Sequence, residues 1–74
     1  MGIDYSAPIG TPIFSVATGK VVHLGYSGAF GNLIILEHPG NYRTYYAHLS
    51  NYNSELEVGN EVRRGLEIGY VGST

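Results

Sequence analysis

Cysteine and tryptophan are absent from this 74-residue chain, and lysine and arginine together number four. Without cysteine there is neither a disulfide framework nor a thiolate metal site to reinforce a small core, and cysteine usage says nothing of the redox compartment. A net charge of −2 with so few cations excludes the clustered basic surface that tracks phosphates, so nucleic acid is not an expected partner. No apolar run approaches the ~20 residues that span a bilayer. The start, Met1-Gly2-Ile3-Asp4, lacks the charged and apolar regions of a secretory signal, so the signal of an exported parent would lie upstream of this segment.

What is abundant is glycine, eleven residues, punctuating short segments rich in Val, Ile, Tyr and Phe. Such side chains pack well on a pleated surface, and such punctuation marks turns, which together predict a single all-β domain over 1–74. A first strand is expected over Pro12 to Val16 and a second over Lys20 to Tyr26, joined through Ala17-Thr18-Gly19 as a hairpin. Leu33 to His38 is apolar on both faces, as in a buried strand, and Pro39-Gly40-Asn41 then reverses the chain. Alternation in the return strand, Tyr42 to Leu49, predicts Tyr42, Thr44, Tyr46 and His48 on one face and Arg43, Tyr45, Ala47 and Leu49 on the other. Ser50 to Glu57 reads as a polar loop. The Val-Gly and Ile-Gly spacing from Val58 to Gly72 suits two short strands around a narrow core. Similar spacing occurs in lipoyl and biotinyl carrier domains, but the only lysine, Lys20, lies outside the pattern, which disfavours a carrier.

Two residues stand out chemically. Asp4 near the start and His48 on the return strand are residue types that a hydrolytic zinc centre uses, though such a centre takes about three protein ligands. Each has a plainer reading: Asp4 could satisfy backbone donors in a turn, and His48 could be hydrogen-bonded within the sheet.

Four blocks in register decide between these readings. They are Gly2-Ile3-Asp4-Tyr5-Ser6-Ala7-Pro8-Ile9-Gly10-Thr11-Pro12, Gly25 to Asn32, Tyr46-Ala47-His48-Leu49-Ser50, and Val58-Gly59 through Thr74. Together they resemble the lysostaphin-like zinc metallopeptidases of family M23 along nearly the whole chain. The resemblance implies a mostly antiparallel small sheet or barrel-sandwich of the duplicated hybrid motif type, and a parent activity of cutting peptide bonds in bacterial cell-wall peptidoglycan. It implies Asp4 as a Zn²⁺ ligand, and His48 as a catalytic group that orients water or stabilises the oxyanion of the tetrahedral intermediate. Tyr46 is the candidate substrate contact. The family's first histidine ligand would fall just ahead of Met1 and its His-x-His pair beyond Thr74, so the domain is expected to be a core fragment, incomplete at both ends. Zn²⁺ is therefore expected in the complete family domain and not on this chain alone, which would be inactive by itself.

The resemblance further implies a cell-envelope or extracellular parent acting on peptidoglycan peptide. A noncatalytic peptidoglycan-binding or scaffold module is the alternative. His38 is expected to be structural and His23 has no matching role, while His38 and His48, ten residues apart across a turn, could meet at a second metal. A missing closing strand would leave a sheet edge unpaired, which predicts a homo-oligomer formed through exposed edges.

Overall fold

The computed structural model describes residues 7–72. Asp4 lies outside the described residues. Six strands form one antiparallel sheet: β1 (Pro12–Phe14), β2 (Gly19–Tyr26), β3 (Asn32–His38), β4 (Tyr42–Tyr52), β5 (Glu61–Val62) and β6 (Glu67–Val71). Their order across the sheet is β1-β6-β4-β3-β2-β5. A single turn of 3-10 helix, Gly28–Phe30, joins β2 to β3. Among the described residues no helix is long and apolar enough to cross a membrane.

The β3–β4 hairpin forms where the turn chemistry predicts it. Pro39 presets its own backbone angle, and Gly40 (φ 92°) and Asn41 (φ 62°) take left-handed conformations that glycine and asparagine tolerate best. His38 and Tyr42 therefore close the hairpin as a cross-strand pair.

The expected β1–β2 hairpin does not form. β1 pairs with β6, whereas β2 pairs with β3 and β5. The reason lies in where the backbone of 15–18 finds its partners. Ser15 exchanges backbone bonds with Leu66 and Gly65 (2.9 and 2.8 Å). The Val16 amide donates to the Tyr46 hydroxyl (3.2 Å), and the Thr18 carbonyl bonds His38 Nδ1 (2.8 Å). Side chains rooted in the β3–β4 hairpin thus hold this segment as a crossing over one end of the core.

Ile13, Val21, Ile34, Leu36, Tyr46, Leu49, Leu56, Val62, Ile68 and Val71 make up that core. Contributions from β1 and from the loop after β4 show how the sheet curls to enclose it. The edge strands β1 and β5 are only three and two residues long. Flanking loops extend their bonding: Val21 exchanges backbone bonds with Asn60 and Gly59, and Gly10 and Thr11 with Val71. β5 covers only the start of β2, and the homo-oligomer expected through exposed edges has no support among the described residues.

Candidate functional site

β4 breaks its own alternation at His48. Ile34 pairs with Tyr46 and Asn32 with Leu49, so three steps along β4 face two along β3. The extra residue makes a β-bulge at Ala47–His48. His48 takes φ 58°, a left-handed conformation that costs a residue with a Cβ roughly 1–2 kcal/mol. Leu49, not His48, returns to the core, where it is 4 % exposed, while His48 is exposed. The predicted grouping of His48 with Thr44 and Tyr46 is thereby corrected, because the bulge shifts the pleat by one residue.

Several contacts hold this bulge. Asn32 Nδ2 donates to the carbonyl oxygen of Leu49 (2.8 Å), and the Tyr52 hydroxyl donates to Asn32 Oδ1 (3.3 Å). Burial, the largest influence, pushes the Tyr52 hydroxyl above its ordinary pKa of 10.0. Gly72 packs flat against the bulge: a Cβ there would collide with the His48 carbonyl and lie 2.8 Å from Ser50 N. Neither Asn32 nor Gly72 is identified as functional by sequence reasoning. Their only signal is position, Asn32 after the Gly31 turn and Gly72 in the closing Val-Gly spacing.

On the inner side, Tyr46 is fully buried. Its hydroxyl joins a chain that runs from Val16 N through Tyr46 Oη and Thr44 Oγ1 (3.1 Å) to His38 Nε2 (2.7 Å). The Thr18 carbonyl can only accept, so His38 Nδ1 carries a proton. In a neutral ring Nε2 then accepts from Thr44, Thr44 accepts from Tyr46, and Tyr46 accepts from the Val16 amide. Every donor and acceptor is satisfied, and no buried side-chain polar atom among the described residues lacks a partner. His38 is thus structural, as expected. Tyr46 has no exposed surface to offer a peptide; its place is directly behind the bulge, where it anchors β4.

The structure does not bring the histidines together. His38 lies at the closed end of the β3–β4 hairpin and His48 near the other, six residues along β4, roughly 20 Å at the rise of a strand. The expectation that these two could share a metal is overturned. His23 sits on β2 with Nε2 3.3 Å from the carbonyl oxygen of Gly25. Among the described residues no three His, Asp or Glu side chains converge to hold a metal ion, so these residues by themselves do not fit a zinc centre.

Comparison with known proteins places this arrangement. The model of "Peptidase family M23" matches residues 1–74. DD-carboxypeptidase/endopeptidase Mpg of Neisseria meningitidis serogroup B is 42% identical over 73 residues, covering 99% of this chain and 16% of that protein. The catalytic domain of the antimicrobial peptidase lysostaphin from Staphylococcus simulans superimposes with a TM-score of 0.85 at 43% identity, over 92% of this chain and 51% of that one. A zinc-containing peptidase from Vibrio cholerae superimposes with a TM-score of 0.84 at 35% identity, over 93% of this chain and 21% of that one. The chain therefore spans about a sixth of the length of the curated relative described above. A curled antiparallel sheet that superimposes on that of lysostaphin and a family match along the whole sequence converge: the chain belongs to peptidase family M23.

Proposed function

We propose that the protein to which this chain belongs hydrolyses peptide bonds in bacterial peptidoglycan, in the cell envelope or outside the cell, and that His48 is the catalytic group this chain contributes. The observation that carries the reading is the β4 bulge. It holds an exposed histidine in a left-handed conformation, braced by Asn32, Leu49 and Gly72. Strain of this kind persists where surrounding structure over-determines it, and it concentrates at functional sites. An imidazole so held can donate to a developing oxyanion or orient a water. Tyr46, buried behind the bulge, acts as a positioning residue.

Zinc is the metal of the complete site, a reading supported by the family match and the zinc-containing Vibrio cholerae neighbour, and Asp4 is a ligand we assign to it. We infer that the 74-residue chain by itself neither holds zinc nor cleaves. Two assays test it. The 74-residue chain with added zinc is expected to leave peptidoglycan uncut, and metal-dependent release of peptides would refute that part. In a complete domain carrying both flanking segments, His48→Ala is expected to lower kcat by about 10²–10⁴-fold, the size of a positioned acid–base group; an unchanged kcat would refute the role of His48.

A further inference from the structure

β4 is irregular toward both of its neighbours. Against β3 the extra residue falls at Ala47–His48; against β6, two steps from Leu49 to Asn51 face one step from Val71 to Tyr70. Where the ladder is broken on both sides, side chains supply bonds that the backbone does not. The Leu49 carbonyl, next along the chain from His48, accepts from Asn32 Nδ2 at 2.8 Å, and the Tyr70 carbonyl accepts from the Ser50 hydroxyl at 3.3 Å. A carbonyl can only accept, so Asn32 must turn Nδ2 to Leu49 and Oδ1 to the Tyr52 hydroxyl, which donates at 3.3 Å. Tyr52 lies beyond both breaks, partly buried and packed against the core. Its hydroxyl, raised above the ordinary pKa of 10.0 chiefly by burial, keeps the proton it donates throughout the neutral range.

We propose that Tyr52 is a positioning residue for His48, acting through the Asn32 amide. The proposal rests on the peptidase reading above and deepens it by naming what holds its histidine in place. The terminal torsion of an asparagine is roughly two-fold, so by itself the amide could present either end to Leu49. The Tyr52 proton matches only Oδ1, which leaves Nδ2 for the carbonyl. Asn32 stands opposite Leu49 on β3, and its bond closes the gap that the bulge opens. With the Leu49 side chain in the core and its carbonyl held from β3, β4 resumes its register at Leu49 and His48 stays turned outward. Removing the hydroxyl frees the amide to rotate, loosens the Leu49 carbonyl and lets His48 relax from its left-handed conformation toward an extended one. The imidazole is then still present but displaced.

Kinetics of the complete domain, carrying both flanking segments, on soluble peptidoglycan peptide test this. Tyr52→Phe keeps the ring and removes only the donor. It is expected to lower kcat by about 10- to 100-fold, the scale of a misplaced group, and to leave KM within about twofold, the split of a contact made in the transition state. Tyr42→Phe, at the closed end of the hairpin, is expected to match wild type. In a His48→Ala background Tyr52→Phe is expected to lower kcat no further, because the group it positions is gone. Equal losses in both backgrounds would mark a merely structural role and overturn the proposal. In the 74-residue chain, Tyr52→Phe is expected to shift the His48 amide and Cα resonances, which report its backbone angles; unmoved resonances would also overturn it. If His48→Ala loses activity while Tyr52→Phe keeps wild-type kcat, positioning by Tyr52 is overturned alone. An unchanged kcat in His48→Ala overturns the role of His48 and its positioning together.

Discussion

His48 bears the largest departure of any candidate residue from what its neighbours in sequence suggest. Among the described non-glycine residues only it and Asn41 have positive φ. Asn41 sits in a reversal where asparagine is a usual occupant, whereas His48 sits inside a strand, where its conformation has no local cause. Comparing two truncations isolates the backbone cost, since both remove the ring and its contacts. His48→Gly is expected to be about 1 kcal/mol more stable than His48→Ala in denaturant unfolding, and equal stabilities would show that the left-handed backbone is not maintained in solution. A second residue-scale expectation concerns Tyr70, whose hydroxyl donates to Glu67 Oε2 at 2.6 Å. That bond, then burial and the nearby negative charge, raise its pKa from 10.0. The unfolded chain releases this proton first, so the stabilisation is complete below about pH 10 and is lost as pH rises through the raised value. Glu67→Gln is expected to let the Tyr70 ring titrate earlier, read from its NMR shifts; an unchanged midpoint would remove the carboxylate as the cause.

At the scale of elements, local signals were legible and non-local ones were not. Pro39-Gly40-Asn41 specifies a reversal by its own backbone preferences, so the β3–β4 hairpin could be read directly, and the glycine-spaced tail did yield two short strands. The partner of β1 could not be read, because it depends on Tyr46 and His38 reaching distant backbone groups at Val16 and Thr18. The bulge escaped for a related reason: period-two alternation assumes equal steps on both strands, and nothing in Tyr46-Ala47-His48-Leu49 announces the extra one. The role proposed for His48 rests on the family resemblance, and its exposure could be read only through the register. Gly72 ties the bulge to the chain following β6. Gly72→Ala is expected to destabilise by about 1–3 kcal/mol, as overpacking does, and to displace the Ala47 and His48 amide resonances. A variant with wild-type stability and unshifted resonances would mean that the bulge does not rest on Gly72.

For the whole molecule, one curled sheet serves two purposes. Its inner face buries Ile34, Leu36, Tyr46, Leu49 and Ile68 and closes the Val16–Tyr46–Thr44–His38–Thr18 chain, giving a small domain a specific core without disulfides. Its outer face presents His48. The peptidase proposal requires one relation more: Asp4 and His48 must face a common centre. A chain without cysteine allows that relation to be measured with a single nitroxide label on Asp4→Cys. Paramagnetic broadening is expected to erase the His48 ring and the Gly72 amide signals while sparing His38, at the far end of the hairpin. A sharp His48 ring beside a broadened His38 would put the two candidate residues on opposite ends of the sheet and contradict the shared site.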